Sequence, residues 1–295
     1  MDRIIAKPLL AGLLALFASV AAAQGGPAAV SPEVDPDIVI STGAVGGGYW
    51  SAGDRLQVVA EEMGLAVENI PSKGSLENLD RLRQMSSPVN MAFAQADALQ
   101  HYLGKNPAQE KKIEILENIG QECVFILTGS KSGIRTDEDL QKAKNLRLGI
   151  ASATSGIAVT FDYMSSLVPE LRDIEVNYAD TSAAMDQLQK PGGTVDAIMV
   201  VHLPRERSPE VDAALENPDH YRFVKLADER LTAELENGRR VYRAMKLAMP
   251  GRAQPVNTIC VRGLLLLNKL KLTGTTRNKL TDLVNYYWMR VYATP

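Results

Sequence analysis

The chain has 295 residues, 45% of them hydrophobic, and a formal net charge of −3 at pH 7. That length suffices for one large domain or two ordinary ones with cores of their own. A mildly acidic balance, with no basic stripe interleaved with aromatics, argues against nucleic acid or an anionic membrane surface as a main partner.

Arg3 and Lys7 bracket a charged start, Leu9 to Ala23 is apolar, and Ala21, Ala22 and Ala23 close the run with small residues. This order predicts a secretory signal peptide over residues 1–23, because a run of about 15 apolar residues is short of the roughly 20 that a spanning helix needs. Residues 24–36, rich in Gly, Pro, Ala and Ser, are expected to form a flexible linker. Export would place the mature chain in the periplasm. Losing Asp2, Arg3 and Lys7 takes its formal charge from −3 to −4. Cys123 and Cys260 both remain. In an oxidising compartment they pair or stay as two independent buried thiols, and the sequence alone leaves both readings open.

Strand-like apolar runs alternate with helix-like segments, which predicts an α/β fold. Ile38 to Ser41 is a short strand, Tyr49 to Met63 a helix and Ala66 to Ile70 a strand. Leu76 to Met85 is a helix opened by Ser75. Val89 to Ala94 is a strand, Ala96 to Leu103 a helix, and Leu116 to Gly120 and Cys123 to Thr128 are two strands. Thr136 is the expected N-cap of a helix from Asp137 to Lys142, with Asp139 at the capping-box position. Next come a strand at Leu146 to Ile150, a helix at Ile157 to Leu167 and a strand at Ile174 to Tyr178. Thr181 or Ser182 should cap a helix from Ala183 to Gln189, before a strand at Val195 to Val201. A polar stretch from Pro204 to Pro250 carries helices and one strand at Tyr221 to Leu226. Asn257 to Leu267 is a long strand and Thr275 to Tyr292 a terminal helix. The strand–loop–helix unit thus fills two blocks, 37–129 and 130–252, and the strand near Cys260 could rejoin either.

Three strand-to-helix junctions share a composition: Ser41 to Tyr49, with Thr42, Gly43 and Gly48; Ser72 to Asn78, with Lys73 and Ser75; and Ser152 to Gly156, with Thr154 and Ser155. Glycine lets backbone approach a ligand, and hydroxyls donate or accept hydrogen bonds. Helix starts present unpaired N–H groups and the positive end of a dipole, which suits an anion. In parallel α/β sheets such loops gather at the carboxyl edge of the strands. Each junction also reads as an ordinary cap and turn. Gly43 to Gly48 does not fit G-x-G-x-x-G, and neither a P-loop, H-E-x-x-H, C-x-x-C nor G-x-S-x-G occurs. No catalytic residue, metal site or cofactor is therefore expected. His202, at the end of the Val195 to Val201 strand, lies either at a cleft or in an exposed loop. Asp97 binds an amine or caps its own helix.

At these loops the sequence resembles the TAXI family of solute-binding proteins, which serve TRAP transporters. The resemblance is carried by Thr42-Gly43 through Gly48-Tyr49, by Gly74-Ser75-Leu76-Glu77-Asn78-Leu79, and by Phe93-Ala94-Gln95-Ala96-Asp97. It continues through Ser132-Gly133-Ile134, Asp139-Leu140 and Ser155-Gly156. It implies a type II periplasmic-binding-protein fold, two α/β lobes joined by crossing hinge strands. Lobe I would be 37–129 plus 253–295 and lobe II 130–252. It implies a monomer that captures a small organic anion, an amino acid or dicarboxylate, for an integral-membrane TRAP subunit. A binding protein of an ABC importer, or a periplasmic sensor, would share the fold. The implied ligand-binding set is Thr42, Gly43, Gly48, Tyr49, Lys73, Ser75, Asn78, Gln95, Thr154, Ser155, Gly156 and His202. The fold would bring the strands of Cys123 and Cys260 side by side, implying a disulfide that could add about 4 kcal/mol. Lys73, His202, Ala44-Val45 and Pro191-Gly192-Gly193 depart from the family pattern. Lys73 and His202, from opposite lobes, would hold an acidic ligand group.

Overall fold

A computed structural model describes residues 35–204, 208–235, 238–272 and 274–292. The expected signal peptide and most of the linker lie outside those residues. In chain order the first elements are β1 (Ile38–Ser41), α1 (Gly48–Glu62), β2 (Val67–Ile70), α2 (Ser75–Arg83), β3 (Met91–Gln95), α3 (Ala96–Lys105) and β4 (Ile113–Gly129). Then come α4 (Asp137–Lys142), β5 (Arg147–Ile150), α5 (Gly156–Leu167), β6 (Glu175–Tyr178), α6 (Thr181–Ala184), β7 (Ala197–His202) and α7 (Pro209–Glu216). The chain closes with β8 (Tyr221–Phe223), β9 (Tyr242–Leu247), β10 (Val256–Asn268) and α8 (Gly274–Tyr292).

The strands hydrogen-bond in the order β2-β1-β3-β10-β4-β7-β5-β6, with β8 added to β4 and β9 to β10. Read inward from either end, the two halves have one shape. Each has three strands, the first in sequence lying between the other two, followed by the same two long strands. Pairing is parallel within β2-β1-β3 and within β6-β5-β7, while β4 and β10 run antiparallel to their neighbours. β4 and β10 therefore belong to both halves. This is the type II periplasmic-binding-protein arrangement, two α/β lobes joined by crossing strands.

The burial pattern explains the pairing. β1, β3 and most of β10 are buried on both faces, as parallel and central strands must be when helices cover them. Ile38, Ile40, Leu56, Phe93, Leu265 and Leu280 form a core between β1, α1 and α8. A second core joins Phe125, Ile198, Val200 and Phe223 around the β4–β7 pair. A third runs through both halves: Leu99 and Tyr102 of α3 and Phe161 and Met164 of α5 belong to it together.

Several local expectations need correction. The strands expected at Leu116 to Gly120 and Cys123 to Thr128 are one strand. The Gly120 to Glu122 segment keeps its pairing with β10, and the irregularity is absorbed by register shifts and by Gly120 at φ 113°. The cap of α6 is Asp180, whose carboxylate accepts from the N–H groups of Ser182 and Ala183, a stronger acceptor than the hydroxyls of Thr181 or Ser182. The helix expected from Ala183 to Gln189 is one α turn followed by a 3-10 helix at Met185–Gln189. β9 was hidden by its composition. It is an edge strand whose Arg243, Ala244 and Lys246 are exposed, so its sequence does not read as an apolar run. Thr136 and Asp139 form the capping box expected of α4.

Candidate functional site

The carboxyl ends of β1, β3, β5 and β7 bring Ser41, Gln95, Ile150 and His202 toward the gap between the halves. A cavity of about 220 Å³ opens there. One wall is the β1–α1 turn, through Gly43, Ala44, Gly47 and Gly48, with Tyr49, Ala52 and Arg55 of α1. Ile119 and Glu122 of the crossing strand β4 form its back, and Val201, His202 and Leu203 at the end of β7 face the turn. The cavity thus takes residues from both parallel sets and from a strand that joins them.

Each wall residue has a local reason for its place. Gly47 is the N-cap of α1 and no side chain caps that helix, so its first-turn N–H groups are left for another acceptor. A Cβ at Gly47 would lie 3.1 Å from Ala44 O, and one at Gly43 would lie 3.3 Å from Tyr49 Cβ. The turn is that tight. The Tyr49 ring packs on Phe93, centroids 5.5 Å apart. Arg55 donates from Nε to the Val291 carbonyl of α8 at 2.6 Å, which fixes its guanidinium beside the cavity. Glu122 Oε2 accepts from Gln95 Nε2 at 3.2 Å. The His202 ring stacks on Phe125 with centroids 5.0 Å apart, and its Nδ1 lies 2.7 Å from Leu203 O.

Of the residues expected to hold a ligand, Gly43, Gly48, Tyr49 and His202 line this cavity. Gln95 reaches its edge through Glu122. Thr42, Ser75 and Asn78 lie behind the wall, each at most 2% exposed, with their polar atoms engaged inside the protein. Asn78 accepts from Ser41 Oγ at 2.6 Å and donates to the carbonyls of Thr42 and Phe93, tying β1 and β3 to α2. Thr42 Oγ1 donates to Asn69 Oδ1, and Ser75 Oγ accepts from the Gln95 N–H. Lys73 is exposed, is not part of the cavity wall, and its N–H donates to Glu77 Oε2 at 2.7 Å. The structure does not bring it together with His202 around this cavity. Thr154 is exposed, and Ser155 caps α5, accepting from the Ala158 N–H at 3.2 Å. Gly156 meets the end of β3 instead: a Cβ built there would stand 2.5 Å from Gln95 Oε1.

Asp97 is not part of the cavity wall, and the N-cap of α3 is Gln95. Asp97 is fully buried, accepts from its neighbour's N–H on Ala98 at 2.7 Å and from Tyr242 Oη at 2.9 Å. Burial raises its pKa above the ordinary Asp value, against the lowering effect of those hydrogen bonds. Cys123 and Cys260 are directly paired in register between β4 and β10 and form a disulfide.

Sequence reasoning missed Arg55 and Glu122. Arg55 carried a signal, since Gly48, Ala52 and Arg55 fall at i, i+4 and i+7 on one face of α1. Glu122 carried none: β4 also holds Glu114, Glu117, Asn118 and Gln121, and only the strand pairing shows which of these polar residues faces the cavity. Among the described residues no group of three or more His, Cys, Asp or Glu could hold a metal, and no helix is long and apolar enough to cross a membrane.

The model of the NMT1-like family matches residues 40–273. The chain belongs to the NMT1-like family. No curated protein matches the sequence. Among solved structures, YhfZ from Shigella flexneri is 13% identical, with 86% of this chain and 91% of that one covered and a TM-score of 0.45. The substrate binding protein of an amino acid ABC transporter is 14% identical, covering 86% and 96%, at a TM-score of 0.45. The Candida albicans CA3427 gene product, described as having the generic periplasmic binding protein fold, is 12% identical over 85% and 70%, at 0.48. In this NMT1-like protein the matched span contains every wall residue of the cavity.

Proposed function

We propose that this NMT1-like protein is an exported periplasmic solute-binding protein that closes on a small organic anion. Residues 37–129 with 253–295 act as one lobe and 130–252 as the other. The observation that carries the reading is the cavity itself. It is walled by an uncapped helix N-terminus from the first half, by His202 from the second, and by Glu122 on a strand common to both. A ligand that touches both walls binds the closed arrangement better than the open one and so drives closure.

The wall chemistry points to an amino acid rather than a dicarboxylate. The first-turn N–H groups of α1, with Arg55 and His202, suit a carboxylate. Glu122 suits an ammonium and would repel a second carboxylate. The resemblance to TAXI proteins favours an integral-membrane TRAP subunit as the receiver, with the protein acting as a monomer and without covalent chemistry.

A thermal-shift screen of the mature protein against amino acids, C4–C5 dicarboxylates and oxo acids tests this. A true ligand at about 100 times its Kd adds about 2.7 kcal/mol of apparent stability. Stabilisation by an amino acid that is lost in His202→Ala is the expected result. No shift with any of the three classes would remove the anion reading.

A further inference from the structure

A cluster of arginines lies outside the proposed capture site. Arg243 of β9 and Arg262 of β10 line, with Arg239 and Arg240 of the preceding loop, a groove of about 530 Å³ whose wall also includes Glu234 and Asn118. The groove shares no wall residue with the cavity at Tyr49. Several other arginines of the protein are matched with carboxylates: Arg81 with Glu77, Arg147 with Asp196, Arg277 with Glu114 and Arg290 with Glu62. Here Arg240 meets Glu234 at 2.9 Å, whereas Arg243 and Arg262 have no carboxylate within ion-pair distance among the described residues. The chain as a whole carries a charge of −3, so the cluster does not follow from a basic composition.

Packing like charges at one concave site costs free energy unless a counter-charge arrives. The strain is visible at Arg262, held below the ordinary guanidinium value first by burial and then by the charges of Arg243 and Arg239. Guanidinium forks recognise planar and tetrahedral oxyanions through paired N–H donors. The forks of Arg243 and Arg262 on one groove suit an ion with more than one negative charge and several acceptor oxygens. The groove is larger than a bare phosphate needs and falls in the range of small-molecule sites.

We propose that this groove is a second site, which takes a phosphate-bearing molecule independently of the solute cavity. The phosphate could come from a soluble phosphoester or from a lipid headgroup, and the same variants read out both. Pyrophosphate would be titrated calorimetrically into the wild type, Arg243→Gln and Arg243→Gln/Arg262→Gln. In parallel, phosphatidylglycerol vesicles would be used in a flotation assay against phosphatidylcholine vesicles. Arg243 lies exposed on an edge strand, so the single variant tests the site even if the double variant folds poorly. Saturable pyrophosphate binding weakened at least tenfold by the single variant supports a soluble phosphoester. Selective flotation with phosphatidylglycerol, lost in the same variant, supports a headgroup. The proposal fails if neither probe binds, if binding is unchanged in Arg243→Gln, or if it survives there and disappears in His202→Ala, which would place the anion in the other cavity.

Discussion

Gln95 and Gly156 meet where the two halves of the sheet face each other, so closely that a Cβ on the glycine would stand 2.5 Å from Gln95 Oε1. Gln95 is 2% exposed, and its Nε2 donates to Glu122 on the cavity wall. Gly74 approaches the same turn, its Cβ position 3.5 Å from Gly156 N. One side chain therefore links the cavity to the place where the turn before α5 comes against the end of β3 and the turn before α2.

Gly156→Ala should for that reason disturb closure more than folding. The new methyl group has room only if Gln95 swings away or the turn retreats. We expect about tenfold weaker binding of the ligand identified by the screen, equivalent to about 1.4 kcal/mol. Small-angle scattering at saturating ligand should show a radius of gyration nearer that of the free protein. Gln95→Ala in the same chain should restore much of the loss. Unchanged affinity in Gly156→Ala would mean that the contact is no part of the bound state.

Glu122→Gln separates the two ligand classes. If Glu122 holds an ammonium, neutralising it removes a charge-assisted bond and should weaken amino-acid binding by at least tenfold, about 1.5–3 kcal/mol being usual for hydrogen bonds to charged groups. For a dicarboxylate the same change removes a repulsion, and affinity should rise. Calorimetry on the wild type and Glu122→Gln with one amino acid and one dicarboxylate should give changes of opposite sign. A fall for the dicarboxylate alone would reverse the assignment of the wall.

The parts of this arrangement that were legible in the sequence are those set by local rules. The Thr136–Asp139 capping box and the strand–glycine turn–helix start at Ser41 to Tyr49 follow from short-range chemistry. Thr42, Ser75 and Asn78 show the limit. A hydroxyl or amide at a helix start serves a ligand or its own scaffold equally well, and only burial with filled hydrogen bonds separates the two. Arg55 escaped because its orientation depends on a carbonyl 236 residues away, and β9 because an edge strand with charged outward residues has no apolar signature.

The Cys123–Cys260 disulfide closes a loop with a sequence separation of 137 and ties the two crossing strands at a directly opposed pair. Both residues are almost fully buried, so Cys123→Ala/Cys260→Ala leaves small apolar replacements in place. Removing a native disulfide typically costs about 2–5 kcal/mol. For a chain of this size that is roughly 5–15 °C in Tm, measurable by calorimetry with and without reductant. The wild type should fall toward the variant when reduced, and the variant should not respond. Equal Tm values in all conditions would show that the crossing strands do not need the bond.

Asp97 and Tyr242 offer a test through pH. Both are fully buried, and Tyr242 Oη donates to Asp97 Oδ2 at 2.9 Å and lies 3.2 Å from the Thr160 carbonyl of α5. Burial, then the neighbouring Asp97 charge, holds the Tyr242 pKa well above its ordinary value, so the hydroxyl remains a donor. Because the folded-state pKa of Asp97 is raised above the ordinary 3.8, the folded protein holds that proton more tightly than the unfolded chain. Its favourable contribution is complete below the unfolded value and fades as pH rises through the folded value. Asp97→Asn keeps an acceptor for Tyr242 and cannot ionise. Its Tm relative to the wild type should therefore climb from about pH 4 upward and level off above the folded pKa of Asp97. Tyr242→Phe should do the reverse. Removing the donor costs about 1–3 kcal/mol for a buried group left unsatisfied, and the deficit should be larger at neutral pH, where the carboxylate needs the donor, than in acid. A Tyr242→Phe deficit independent of pH, with no crossover in Asp97→Asn, would show that the carboxyl stays neutral throughout and that the pair acts only as packing between α3 and β9.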